Sequence, residues 1–149
     1  MKIELFKIDV SINTLIPFAD EGIRAGFPSP AQDFMEMAID LNKELIKHPA
    51  STFIGRVRGN SMVEANLEDG DLLVIDKAAD IISGKIAVCY LDGDFTIKYI
   101  EITKEVIWLH PANHEYPSIK VTADNNLIIW GIVEYIIKKP KLKTDFNEL

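Results

Sequence analysis

The sequence predicts a mainly β protein: a compact antiparallel barrel or sandwich, preceded by an N-terminal arm and one short helix. From Ser51 onward, short runs rich in β-branched and aromatic residues alternate with Gly, Asp and Asn turn signals. Helical spacing of apolar residues occurs only before His48. With 48% hydrophobic and 26% charged residues among 149, the composition is that of one modest globular domain.

The first 25 residues are expected to form an N-terminal arm. Apolar residues alternate loosely along Met1–Arg24, which predicts either a strand or an extended segment on a surface. The arm is too short for a helix-turn-helix domain, so we expect no DNA-binding repressor.

Residues 26–50 are interpreted as a linker that carries a short amphipathic helix. Ser29–Gln32 has a capping serine, a proline at the first position and a glutamine at the third, which predicts a helix start. The apolar stripe that follows comprises Phe34, Ala38, Leu41 and Leu45, with Met35, Met37 and Ile46 beside it. The helix should end before His48-Pro49. We interpret the apolar stripe as a surface that packs against the barrel or a partner chain, and not as a ligand site.

Residues 51–139 are predicted to be the β-rich domain, and 140–149 a tail. The expected strands are Thr52–Val57, Leu72–Asp76, Lys85–Leu91, Phe95–Glu101, Val106–His110, Ser118–Val121 and Leu127–Ile137. The turn signal Asp92-Gly93-Asp94 predicts a hairpin that places the strand containing Lys98 beside Lys85–Leu91. The four lysines of the basic run Lys138–Lys143 indicate a solvated terminus, with contact to DNA or a polymerase as the alternative.

Charge and cysteine content narrow the class of protein. A net charge of −7 argues against direct duplex binding, because phosphate neutralisation needs a basic face, and favours protein partners. The single cysteine, Cys89, excludes an intrachain disulfide and fits a cytoplasmic protein, with Cys89 a small buried hydrophobe.

No targeting segment is expected. Residues 1–9 lack the apolar core of a secretory signal. The longest apolar run, Leu127–Val133, is far shorter than the roughly 20 residues that span a bilayer.

No metal or cofactor site is predicted. His48, His110 and His114 lack metal-ligand spacing, and no glycine-rich phosphate loop is present. The carboxylates of Asp69, Asp71 and Asp76 are interpreted as turn formers and solvated groups at strand edges.

Ser61 and Lys98 are the candidate catalytic pair. Ser61 lies in the turn Gly59–Met62, and a serine hydroxyl needs a base to become a good nucleophile. Lys98 lies among Phe95, Ile97, Tyr99 and Ile100, so burial would lower its pKa and let the neutral amine act as that base. Backbone N–H groups of Ser61 and Met62 are the candidate oxyanion hole. Taken singly, a turn serine and a strand lysine more often indicate only a turn and a solvated face.

The ordered set of motifs resembles a known family. It comprises Gly26–Ala31, Ile39–Asn42, His48-Pro49, Gly59–Met62, Asp69–Asp76 and Phe95–Lys98. This set resembles the LexA-type self-cleaving serine peptidases, most closely the UmuD subfamily of SOS mutagenesis proteins. The resemblance implies the fold of the LexA C-terminal domain and self-cleavage of the Ala25–Gly26 bond by Ser61 and Lys98. Asn60 departs from the acidic residue that is common at this position.

The resemblance also implies partners. These are a second copy in a homodimer, a recombinase–single-stranded DNA filament that stimulates cleavage, and a Y-family polymerase that takes the shortened form as a subunit in error-prone translesion synthesis. Three alternatives stay open: a non-catalytic β-barrel association module, a LexA-type regulator without a DNA-binding domain, and a membrane signal peptidase, which the missing apolar segment disfavours.

Overall fold

A computed structural model describes residues 2–8, 15–18, 37–59, 66–91, 93–112, 116–124 and 127–147 of the chain. Within these ranges the chain forms ten strands, one α-helix and one 3-10 turn at Pro49–Ser51. The elements are β1 Lys2–Lys7, β2 Leu15–Phe18, β3 Met37–Asp40, α1 Leu41–Leu45, β4 Thr52–Arg58, β5 Leu72–Asp76, β6 Ile86–Leu91, β7 Asp94–Ile102, β8 Ile107–His110, β9 Ile119–Lys120 and β10 Leu127–Ile137.

Eight of the described strands form one antiparallel sheet in the order β1-β4-β5-β10-β6-β7-β8-β9. The strands β2 and β3 form a separate antiparallel pair. Cα atoms of β1 come within 8 Å of β7, so the large sheet curls back toward itself as in a barrel. The predicted fold class, a mainly β protein of the LexA C-terminal-domain type, is confirmed.

Two apolar clusters stabilise the described part of the sheet. The first cluster comprises Val57, Leu67, Leu73, Ile75, Val88, Ile97 and Ala112. The second cluster comprises Ala87, Cys89, Ile100, Leu109 and Ile132. Neighbouring residues of β6 and β7 alternate between the two clusters, as the two-residue period of a strand requires. Because both faces are covered at the middle of β7, its central side chains lie in a packed environment, whereas Asp94, Glu101 and Ile102 at its ends are exposed.

The strands predicted from the sequence are confirmed, and their ends differ by no more than one residue. As expected, β6 and β7 pair as antiparallel neighbours, with Leu91 opposite Asp94. In the N-terminal arm, residues 2–7 adopt the strand alternative and pair with β4.

The predicted helix is wrong over Met37–Asp40. These residues form β3, which pairs with β2 in the register Leu15 to Asp40 and Phe18 to Met37. Helical geometry is confined to Leu41–Leu45, where the Asp40 carboxylate accepts a hydrogen bond from the Asn42 N–H at 3.0 Å. Pairing with a strand distant in sequence therefore overrides the local helical spacing. Ser29, Pro30 and Phe34 lie outside the described residues.

The interpretation of Asp71 and Asp76 as solvated carboxylates is also wrong. Their exposed fractions are 5% and 4%. Asp71 accepts hydrogen bonds from the Lys138 ammonium and from the Glu68 N–H. Lys138 of the basic run Lys138–Lys143 is therefore not fully solvated, whereas Lys141, which pairs with Glu68 at 2.7 Å, stays exposed.

Gly131 in β10 leaves room for a core side chain. A Cβ at this position would lie 2.7 Å from the Cγ2 methyl of the fully buried Ile75. We expect Gly131→Ala to lower the free energy of unfolding by about 2 kcal/mol, since an overpacked core must shift. Urea denaturation measures the change. Ile128→Ala is the control because Ile128 is 59% exposed on the same strand, and equal losses in both variants would contradict the packing argument.

Candidate active site

Lys98 lies in the middle of β7, where the sheet fixes its direction. It pairs with Ala87 of β6, and directly opposite residues of an antiparallel pair project from the same face. Ala87 belongs to the second cluster, as does Ile100 two residues along β7. The Lys98 side chain therefore stands on the face that carries this apolar cluster. The residue is half-buried, as its position among apolar neighbours predicts.

Burial lowers the pKa of Lys98 from its ordinary 10.5. The physical cause is that apolar neighbours remove water from the ammonium and thereby disfavour the charged form. The opposing influence is the nearby Cys89, whose thiolate would favour a charged lysine. Burial raises the pKa of the Cys89 thiol to about 12, so Cys89 is neutral at pH 7. A neutral thiol does not raise the pKa of Lys98, and the effect of burial remains. The lowered pKa is the property that a lysine base requires.

Cys89 itself is not a candidate nucleophile. Its side chain is fully buried, and the thiolate is the reactive form of cysteine. A thiol with a pKa of about 12 supplies almost none of that form at neutral pH. The structure therefore agrees with the interpretation of Cys89 as a small core residue.

The described residues on both sides of Ser61 are held together by hydrogen bonds. The Val57 N–H donates to the Asp71 carbonyl at 2.9 Å, and the Gly70 N–H donates to the Val57 carbonyl at 2.8 Å. The Gly59 N–H donates to the Asp69 carboxylate at 3.0 Å. Gly59 has a φ of 96°, a conformation that glycine adopts without steric cost. The described residues that precede and follow Ser61 in the sequence are thus hydrogen-bonded to each other.

The remaining predicted site residues lie outside the described residues. These are Ser61 and Met62 of the serine turn, and Ala25 and Gly26 of the predicted cleavage site. The pairing of Ser61 with Lys98 accordingly stays a prediction. In sequence, Ala25–Gly26 falls between β2 and β3, the two strands of the small sheet.

Sequence reasoning missed a polar cluster around Asp76. His48 Nδ1 lies 2.5 Å from Asp76 Oδ2, and the Ser51 hydroxyl donates to Asp76 Oδ1 at 2.7 Å. Burial alone would raise the pKa of Asp76, but the hydrogen bonds from His48, Ser51 and the Ala78 N–H together lower it. His48-Pro49 was the available signal, although nothing local connects it with Asp76.

This cluster is not a catalytic triad. In a triad the histidine contacts the serine, whereas here the Ser51 hydroxyl donates to the carboxylate. Its effect is to fasten the Pro49–Ser51 turn to the end of β5. Among the described residues, no group of three or more His, Cys, Asp and Glu side chains is arranged to hold a metal ion.

Comparison with known proteins identifies the family. The family model described as peptidase S24-like matches residues 17–134. The chain is a member of the peptidase S24-like family. This match, together with the relatives described next, confirms the resemblance to the UmuD subfamily of LexA-like peptidases. The matched region includes Ser61 and Lys98.

Relatives of this S24 peptidase cover most of its length. Protein SamA of Salmonella typhimurium is 40% identical over 130 residues, which is 87% of this chain and 90% of SamA. Protein MucA of Escherichia coli is 34% identical over 143 residues, or 94% of this chain and 97% of MucA. The LexA repressor of Alcanivorax borkumensis is 37% identical over 118 residues, which cover 79% of this chain but 57% of the repressor.

The S24 peptidase is thus a peptidase of the LexA and UmuD kind, related to SOS mutagenesis proteins. In the described part of the chain, no helix has both the length and the apolar character needed to cross a membrane.

Proposed function

We propose that this S24 peptidase cleaves its own Ala25–Gly26 bond with Ser61 as nucleophile and Lys98 as general base. The observation that supports the proposal is the half-buried position of Lys98 on β7, together with its lowered pKa. A base for a serine hydroxyl must be unprotonated, and desolvation by the second cluster favours the neutral amine.

The reaction begins when the neutral Lys98 amine removes the proton of the Ser61 hydroxyl. The Ser61 oxygen forms a bond to the Ala25 carbonyl carbon, and the carbonyl oxygen becomes an oxyanion. The N–H groups of Ser61 and Met62 would stabilise this oxyanion. When the intermediate collapses, the Ala25–Gly26 C–N bond breaks and the Lys98 ammonium protonates the departing Gly26 amine.

Water then completes the cycle. Lys98, neutral again, removes a proton from water as its oxygen attacks the ester between Ser61 and Ala25. The ester bond breaks, the Ser61 oxygen regains a proton from Lys98, and Ala25 becomes a free carboxylate. Because the scissile bond is tethered to the same chain, its effective concentration at the site is high.

Membership of the family supports a proposal for the cellular role. We propose that the protein acts in the cytoplasm as a homodimer and that a recombinase–single-stranded DNA filament stimulates its cleavage. Residues 1–25 would be the removable arm, 26–50 the linker, 51–139 the peptidase-like domain and 140–149 the tail. The shortened form would then serve as a subunit of an error-prone Y-family translesion polymerase.

Alkaline pH should accelerate the cut without any partner. The fraction of neutral Lys98 grows as pH rises, so we expect the cleavage rate to rise with pH and then to level off. The half-maximal rate should fall at a pH below 10.5, because the pKa of Lys98 is lowered from that value. Incubation from pH 7 to pH 11, followed by denaturing mass spectrometry, measures the rate and locates the severed bond.

A rate that does not change across this range would count against Lys98 as the base. Complete absence of the 25-residue fragment at every pH, and also with a recombinase filament present, would favour the non-catalytic association module instead. A cut at another bond would retain the peptidase class and reject the assigned cleavage site.

A further inference from the structure

Strand β1 occupies the outer edge of the large sheet. It pairs with β4 along its whole length, from Lys2 opposite Arg58 to Lys7 opposite Phe53. On its other side, β4 pairs with β5. Removal of β1 would therefore leave the outer backbone groups of β4 without partners, and such an edge accepts another strand.

Gly55 shapes this edge for particular side chains. A Cβ at Gly55 would lie 2.9 Å from Ile75 Cδ1 in the core, 3.0 Å from Ile3 Cγ2 and 3.8 Å from Leu5 Cδ2. Glycine within a strand marks a site where another group approaches closely. Ile3 and Leu5 fill the space above Gly55 and pack against the first cluster. The edge thus selects two apolar side chains that are separated by one residue.

The opposite face of β1 meets cations. Glu4 accepts a hydrogen bond from Arg58 Nε at 2.9 Å, and this contact raises the pKa of Arg58. The Arg56 guanidinium lies 5.9 Å from the Phe6 ring centroid. Within the described part of the chain, Nε of Arg56 is buried without a hydrogen-bond partner.

A basic cavity continues this face beyond the strand. It has a volume of about 360 Å³ and is lined by Arg56, Arg58, Gly70, Leu72, Ile137, Lys138 and Lys139. Two of the cations that line the cavity are paired with carboxylates: Lys138 with Asp71, and Arg58 with Glu4. If Glu4 left with β1, the cavity would lose one of these two carboxylates and would attract an acidic segment more strongly.

We propose that the outer edge of β4 is a binding site for an extended segment of a partner protein, and that β1 is its resident occupant. The segment adds as an antiparallel strand with apolar side chains at the positions of Ile3 and Leu5. A carboxylate lies between them at the position of Glu4. In its cellular setting this inference rests on the proposed function, because cleavage at Ala25–Gly26 is what makes β1 separable from the domain.

The test opens the edge in the full chain without any cleavage. In a Ser61→Ala background, Ile3→Asp with Leu5→Asp would place carboxylates against the first cluster and release β1. The probe is a labelled synthetic peptide with the sequence of residues 1–8. If β1 covers the edge about nine-tenths of the time, opening should tighten peptide binding about tenfold. Lys7→Gln is the matched control, because Lys7 is exposed on the same strand and should leave the edge covered.

Charge reversal shows whether the peptide occupies this edge. In the opened chain, Arg58→Glu should weaken binding of the peptide and strengthen binding of its Glu4→Lys version. Equal affinity of the peptide for opened and unopened chains, or a preference that does not reverse, would overturn the inference.

Folding of the opened chain is checked by its thermal transition. If the transition is lost, Glu4→Lys alone serves instead, since Glu4 is exposed and its replacement leaves the core intact. A smaller gain in peptide binding is then expected, and no gain rejects the site. Because every protein variant lacks Ser61, peptide binding stands or falls independently of the cleavage result.

Discussion

Replacing Ser61 with alanine should abolish the cut at Ala25–Gly26 at every pH. The variant has no nucleophilic oxygen to form the acyl-enzyme. Lys98→Ala should slow cleavage at least about a hundredfold, since general bases contribute roughly 10²–10⁴-fold. Lys98→Arg is the sharper variant, because a guanidinium retains the charge and never loses its proton in this pH range. Denaturing mass spectrometry over a time course measures all three rates.

Lys85→Arg is the matched control for the lysine variants. Lys85 lies in the turn before β6 and contacts Glu134 at 3.5 Å, so an arginine can keep that contact. It should cleave at the unsubstituted rate. Cleavage by Lys98→Arg at that same rate, in a protein with an unchanged thermal transition, would remove Lys98 from the mechanism.

Lys138→Met should lower the free energy of unfolding by about 3 kcal/mol, because removing one partner leaves a buried charge uncompensated. The charge is that of Asp71, which is 5% exposed and then retains the Glu68 N–H as hydrogen-bond donor. For a protein of this length we expect the melting temperature to fall by about 9 °C. Thermal unfolding monitored by circular dichroism measures the shift.

Two further variants distinguish the effect of leaving a carboxylate buried without a partner from the effect of removing a lysine charge. Lys141→Met removes a cation from the exposed pair with Glu68 and should leave stability unchanged within error. Asp71→Asn combined with Lys138→Met should recover part of the loss, since no charge then stays buried alone. Equal destabilisation by Lys138→Met and Lys141→Met would show that the Asp71 pair has no special weight.

The strands were predictable because their signals are local. Alternating β-branched residues and Gly-Asp turns specify Leu72–Asp76 and the hairpin around Gly93 without reference to the rest of the chain. The strand Met37–Asp40 was not predictable in this way. Its partner Leu15–Phe18 lies on the far side of a long connection, and its own apolar spacing fits a helix.

The environment of Lys98 was predictable, whereas the buried carboxylates were not. Apolar neighbours in sequence surround Lys98, and they also surround it in the sheet. Asp71 follows a glycine and Asp76 precedes a turn. Aspartates in such positions are usually exposed. Their partners Lys138 and His48 are 67 and 28 residues away, so only the assembled sheet shows that each carboxylate is compensated.

The position of the small two-stranded sheet affects how a cut would be observed. Leu15–Phe18 and Met37–Asp40 flank the Ala25–Gly26 bond and are hydrogen-bonded to each other. Hydrolysis there would nick the polypeptide while both new ends stayed attached through paired strands. Gel filtration under native conditions would then report an uncut molecule. The N-terminal fragment would be lost only when its strands dissociate from the domain, at a rate separate from that of hydrolysis.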